Sequence, residues 1–161
     1  MVIKELSADD AKQLAQLMMD VEASSPYMLM EAGERTLTVE GAEALLNRDH
    51  ITVIGAEDGE QLIGYTLVIR ETVRKKKHCT SIVVGIHKDY RGMGVGGQLL
   101  QAVLAWANQE KIMRIELTVV SENEAALALY KKIGFEVEGV KRRSLLMDGE
   151  YYDEYYMGKL F

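Results

Sequence analysis

The chain has 161 residues, enough for one domain around one sizeable core. Its 25 acidic and 19 basic residues leave a formal net charge of −6, which sets nucleic acid aside as the main partner because phosphate binding needs a basic surface. Cys79 is the only cysteine, so a disulfide framework and a thiolate zinc cluster are excluded, and no apolar stretch is long enough to span a bilayer.

Val2 to Leu6 reads as a short strand. Ser7 with Asp10 three positions on makes a helix-start signal, and Leu14, Leu17, Met18 and Val21 then recur at helical spacing. Lys4, Glu5, Asp9 and Asp10 interrupt this N-terminus, which does not read as a signal peptide; the expectation is a cytoplasmic protein with no membrane partner. Ser24-Ser25-Pro26 ends the helix, since proline restricts the residue before it and has no N–H for the ladder. Tyr27 to Arg35 is irregular and rich in Met and Glu. A second helix is expected from Thr38 or Val39 to Asn47, with Ala42, Leu45 and Leu46 inward.

Ile51–Ala56 and Leu62–Ile69 read as strands joined by a hairpin at Asp58-Gly59. The basic run Arg74 to His78 reads as a further hairpin loop, before a strand over Thr80–Ile86. From Gly94 to Glu110, Leu99, Leu100, Val103, Leu104 and Ala107 mark a helix with one buried face. Ile112–Val119 is a strand with Ile115, Leu117 and Val119 on one face. Ser121 with Glu124 is expected to form a capping box for a helix that carries Ala126, Leu129, Tyr130 and Ile133 and stops at Gly134. Phe135–Leu146 and Tyr151–Leu160 are long strands joined through Asp148-Gly149. The predicted fold is α/β, a mixed sheet with α+β character in one domain over 1–161, with no linker or repeat dividing it.

The most informative segment is Arg91-Gly92-Met93-Gly94-Val95-Gly96-Gly97, after a β-branched strand and before a helix. A glycine-rich turn feeding a helix presents backbone N–H groups to an anion. Gly92, Gly94 and Gly97 formally fit the dinucleotide fingerprint G-x-G-x-x-G. That reading fails because His87 to Arg91 separates the strand from the glycines, because Glu116 is not at its strand's C-terminal end, and because the preceding strands pair by hairpins. No Lys-Ser or Lys-Thr follows the glycines, so a Walker A loop is excluded. The basic run Arg74–Lys77 is no alternative clamp: about seven strand residues at about 3.3 Å each hold it some 20 Å from the glycines.

Tyr90-Arg91-x-x-Gly94-x-Gly96 after a strand resembles the acyl-coenzyme A pyrophosphate loop of the GCN5-related N-acetyltransferases. Leu117-x-Val119, then Asn123-x-x-Ala126-x-x-Leu129-Tyr130-x-x-x-Gly134-Phe135, resembles the downstream motif of the same family. Gly139, Arg142 or Arg143, Gly149 and Asp153 are similar to the closing hairpin of ribosomal-protein and polyamine acetyltransferases. The resemblance implies acetyl-CoA as cofactor, with the amides of Gly92, Met93, Gly94, Val95 and Gly96 around the pyrophosphate and Arg91 in contact through its side chain or amide. It implies that Val84, Gly85 and Ile86 pair with the pantetheine arm in a splay between two strands, and that an amide there polarises the thioester carbonyl. Gly85 is notable by itself, as glycine inside a strand marks a bulge or a close approach. The resemblance places Tyr130 beside the sulfur as general acid; a packing tyrosine is the alternative. Asn123 would hold pantetheine or the loop, or else cap its helix.

The general base stays open among Glu116, His78, Glu71, Glu31, Glu34 and a backbone-held water. The implied reaction is direct transfer of acetyl to a primary amine in a ternary complex. The acceptor is a small amine or a peptide amine, and the negative charge leans weakly toward a cationic one. The alternative function is a non-catalytic acyl-CoA-binding sensor or interaction module, which would need neither Tyr130 nor an acceptor slot. Homodimerisation through a strand edge or the Met-rich segment is a further expectation.

Overall fold

The computed structural model describes residues 1–161. Seven strands, β1 (Val2–Glu5), β2 (Ile51–Asp58), β3 (Gln61–Arg70), β4 (Cys79–Ile86), β5 (Arg114–Val120), β6 (Glu136–Met147) and β7 (Glu150–Leu160), form one sheet in the order β1-β2-β3-β4-β5-β7-β6. All neighbours are antiparallel except β4 and β5, which run parallel. The four helices are α1 (Ala11–Ser24), α2 (Val39–Leu46), α3 (Val95–Gln109) and α4 (Glu124–Ile133). None is long and apolar enough to cross a membrane.

Alternation along the strands divides the core between the two faces. On one face Val53, Tyr65 and Leu67 pack with Leu14, Leu17, Met18 and Val21 of α1. On the other, Val68, Ile82, Ile115, Leu117 and Val119 pack with Leu99, Leu100 and Val103 of α3 and Tyr130 of α4. The register of β2 on β3 shifts after Ala56, so that Ala56 faces Gly64 and Glu57 faces Leu62. Ile63 is the extra residue, and this bulge lets Ile63 join the α3 side while Tyr65 joins the α1 side.

Most expected boundaries agree with the observed ones to within two residues. Ser7 does not open α1 directly; its N–H donates to the Asp10 carboxylate at 2.9 Å across a single 3-10 turn, Ala8–Asp10, and α1 follows. The expected capping box at Ser121 and Glu124 is corrected. Ser121 instead donates to the Glu122 carboxylate at 2.6 Å, and Asn123 caps α4 by accepting from the Ala126 N–H at 3.3 Å. Asn123 sits three positions before Ala126, the spacing at which an amide oxygen reaches the first free N–H groups. Gly134 ends α4 in the left-handed region, φ +98°.

Candidate active site

The parallel pair β4–β5 is paired only at its beginning, Cys79 with Arg114, Thr80 with Ile115 and Ser81 with Glu116. Beyond that point the strands part. β4 stays bonded to β3 as far as Ile86 with Gly64, and β5 stays bonded to β7 through Thr118 with Tyr156 and Val120 with Glu154. One edge of Ile82–Ile86 therefore faces a slot, where its backbone polar groups lack the strand partner that they would have in a closed sheet. The slot belongs to a cavity of about 770 Å³ lined by Val84, Gly85 and Ile86 of β4, by the glycine turn, and by Asn123, Ala126 and Tyr130.

At the mouth of the slot, α3 begins without a side-chain cap and without an acidic residue in its first turn. Gly94 is its N-cap residue at φ +84°, and Gly92 precedes it at φ +74°. The N–H groups of Val95, Gly96 and Gly97 have no helical acceptor, and the helix adds its positive end. A Cβ on Gly92, Gly94 or Gly97 would meet nothing within 4 Å, so these backbones face open space. Gly96 differs: its Cβ would lie 2.8 Å from Leu129 Cδ2, so it sets the approach of α3 to α4. Of the loop's side chains, Met93 points to solvent and Val95 is buried, which leaves only backbone from these two positions to face an anion. This geometry fits a pyrophosphate.

Arg91 does not present its side chain to that anion. Its Nε donates to the Ile86 carbonyl at 3.1 Å, and its Nη1 and Nη2 donate to the Ser24 carbonyl and hydroxyl at 3.0 and 2.8 Å. The guanidinium ties the end of α1 to the end of β4, and of the two contacts expected of Arg91, side chain or amide, this brace leaves the amide free for the loop.

Tyr130 lies against Phe135, ring centroids 5.8 Å apart, and lines the cavity from the α4 side. Burial pushes its phenol up to about 12. Asn123 spends its carbonyl oxygen on the cap of α4 while its residue lines the slot. Gly85 lies at no bulge; it is in regular register opposite Tyr65, and the close approach is that of the Tyr65 ring.

Glu116 is outside this cavity. It sits where β4 and β5 are still paired, in a separate groove with Arg114 and Glu138, and its carboxylate accepts from Arg114 Nε at 2.9 Å. Arg114 also grips Glu138. The Glu116 carboxylate, one of the candidate bases, is thus ion-paired below the fork and does not line the slot. His78, Glu71, Glu31 and Glu34 do not line the cavity either.

Sequence reasoning missed Glu22, Glu154 and Tyr65 on the α1 side. Glu22 is a buried carboxylate that accepts from Arg35 Nε at 3.0 Å and Nη2 at 2.5 Å. Its signal was available, since Leu14, Met18 and Glu22 form one i, i+4 row on the buried face of α1. Glu154, side chain 12% exposed, lies 3.6 Å from Lys141 Nζ and accepts from the Ser144 hydroxyl. Tyr65 is fully buried, and its hydroxyl has no hydrogen-bond partner. Tyr27 reaches across the slot and donates to the Glu122 carbonyl at 3.4 Å. All four line the cavity.

A mixed sheet forked at one parallel pair, with an uncapped glycine-rich helix start at the fork, defines an acyl-CoA-dependent acyltransferase scaffold. Residues 15–135 match the model of the Acetyltransferase (GNAT) family, and the chain belongs to that family. It is similar to the L-amino acid N-acetyltransferase AaaT of Escherichia coli (strain K12), 30% identical over 120 residues that span 73% of this chain and 74% of that protein. It is also similar to the N-alpha-acetyltransferase RimI of Mycobacterium tuberculosis (strain ATCC 25618 / H37Rv), 32% identical over 110 residues, 66% of this chain and 68% of that one. Among solved structures, the GNAT-family acetyltransferase from Streptococcus pneumoniae superposes with a TM-score of 0.93 at 28% identity, over 99% of this chain and 98% of that chain.

Proposed function

We propose that this protein transfers the acetyl group of acetyl-CoA to a primary amine by direct attack in a ternary complex. The observation that carries the reading is the fork between β4 and β5, with uncapped N–H groups at its mouth and a buried tyrosine on its wall. The family supports acetyl-CoA as the acyl donor. The relatives named for amino-acid and N-alpha acetylation support an α-amine as acceptor.

In this reading the amides of the Gly92–Gly96 turn hold the pyrophosphate, and the free edge of Val84–Ile86 pairs with the pantetheine arm. A backbone N–H of that edge aims at the thioester carbonyl and stabilises the charge that grows on its oxygen. The amine nitrogen bonds to the carbonyl carbon, the C–S bond breaks, the amine loses a proton, and the sulfur gains one. Tyr130 serves the leaving sulfur. At neutral pH its phenol is protonated, so it donates a hydrogen bond to the departing thiolate. Outright transfer is disfavoured by the same burial: a thiolate of ordinary pKa is a weaker base than a phenolate whose pKa is raised. The proton that finally rests on sulfur then comes by way of the amine or solvent.

Calorimetry with acetyl-CoA, with NAD as comparison ligand, tests the first half of the proposal, and thiol release on adding amine tests the second. One-to-one binding of acetyl-CoA alone with amine-dependent thiol release is the expected result. Binding without release for any amine would favour the acyl-CoA sensor. No binding would remove the assignment.

A further inference from the structure

The charges of the cavity on the α1 side are already balanced. Its two carboxylates are the buried Glu22, held by Arg35, and the partly buried Glu154, beside Lys141 and Ser144. The third nearby cation, Arg91, is spent on backbone and on Ser24. No unneutralised carboxylate faces the slot to receive a second positive charge, and an added cation there would meet a desolvation cost without a partner. Around these pairs the wall is apolar: Met18, Met28, Leu29, Met30, Leu67 and Leu145. Methionines suit an adaptable apolar cup.

Two buried side-chain hydroxyls in the protein lack any partner, Tyr65 and Thr66. They are neighbours on β3 and point to opposite faces. Only Tyr65 lines the cavity. Its hydroxyl lies over Gly85, 2.7 Å from the point where a Cβ would be, at the strand segment assigned to the thioester. A buried hydroxyl left unpaired is costly unless a ligand completes it.

We infer that the acceptor is a monoamine with an apolar side chain, an apolar amino acid or a peptide N-terminus of that kind, and that the Tyr65 hydroxyl accepts a hydrogen bond from its reacting nitrogen. This inference rests on the acetyltransferase reading above. The net charge of the chain points to a cationic amine; the slot points away from one, because its own carboxylates are paired. Binding the N–H on the Tyr65 oxygen orients the nitrogen lone pair away from Tyr65 and toward the carbonyl.

The test compares wild type, Tyr65→Phe and Thr66→Val. Acetyl-CoA binding is measured by calorimetry, and thiol release is followed with L-leucine, L-methionine, leucyl-glycyl-glycine and spermidine. The expected wild-type result is turnover of at least one of the first three with kcat/KM at least about tenfold above spermidine. Tyr65→Phe keeps the ring over Gly85 and removes only the hydroxyl. Its acceptor KM should rise about tenfold, with acetyl-CoA affinity within twofold and a melting temperature no lower than wild type. Thr66→Val should leave all kinetic constants within twofold. Preference for spermidine, or no turnover of the three apolar acceptors while acetyl-CoA binds, overturns the acceptor class. Unchanged acceptor kinetics in Tyr65→Phe overturns the role of the hydroxyl, and so does joint loss of stability and acetyl-CoA affinity. Failure of wild type to bind acetyl-CoA would instead strike the underlying reading.

Discussion

The ring of Tyr65 occupies the space that a side chain at position 85 would fill: a Cβ on Gly85 would lie 2.4 Å from Tyr65 Cε1 and 2.5 Å from its Cζ. The two residues are direct partners across β3 and β4. The largest fully buried side chain of the protein therefore sits where it does because its neighbour has none. Gly85→Ala should cost about 1–3 kcal/mol of stability, the usual penalty for overpacking a core. Because the two sites touch, their effects should not add. In the pair Gly85→Ala with Tyr65→Leu, part of the loss should return, seen as a coupling energy in a double-mutant cycle of denaturant melts.

Gly94 is the opposite case. Its φ of +84° disfavours any side chain, yet a Cβ there meets nothing in the protein. Gly94→Ala should lower stability by only about 1 kcal/mol through the backbone. Its methyl group would stand in open space at the N-cap, next to the uncapped N–H groups that begin α3. Calorimetry should show acetyl-CoA affinity falling tenfold or more, a loss far larger than the stability change.

Tyr130→Phe keeps the edge-on contact with Phe135 and removes the hydroxyl proposed to serve the leaving sulfur. The expected outcome is kcat lowered ten- to a hundredfold, with acetyl-CoA affinity nearly unchanged, read from steady-state thiol release beside calorimetry. Equal loss of binding and turnover would mark Tyr130 as a packing residue.

Glu116→Gln should be nearly silent in catalysis. Its carboxylate is engaged by Arg114, which keeps its two bonds to Glu138 when Glu116 is neutralised. The pair is partly exposed, so stability should fall by no more than about 1 kcal/mol. Acceptor kcat/KM should stay within twofold of wild type; a drop beyond tenfold would restore Glu116 as the base.

The features of the site legible in the sequence were local in the chain. The glycine turn, the strand before it and the helix after it lie within Cys79–Gln109, and each announces itself by composition or period. In the sequence Asn123 carries two competing roles, cofactor contact and helix cap, and the cap is obscured because Ser121-x-x-Glu124 matches a capping box equally well. What could not be read was contact between segments far apart. Tyr65 meets Gly85, and Arg35 meets Glu22, only because β3 lies beside β4 and the segment after α1 folds back over it. Arg91 illustrates the same limit: its place in the loop suggests a phosphate ligand, and its satisfaction by Ser24, 67 positions earlier, appears only in three dimensions.

Two of the eight tyrosines, Tyr65 and Tyr130, are buried, and burial raises both phenols above their ordinary value; the Glu22 charge adds to the effect at Tyr65. In the unfolded chain each would ionise near pH 10. Below that pH both states bind the proton and the full stability is present. As the pH climbs past 10 the unfolded chain releases its protons while the folded one keeps them, so stability drains away until the folded pKa is passed. For Tyr130, near 12, the loss amounts to about 3 kcal/mol. Thermal melts from pH 8 to 12 should show a steep fall above pH 10, and Tyr65→Phe should make that fall shallower. Phenolate absorbance should rise in two stages, the exposed tyrosines first and the buried pair together with unfolding. A single smooth rise near pH 10, with the melting temperature flat, would mean that both hydroxyls ionise freely in the folded protein.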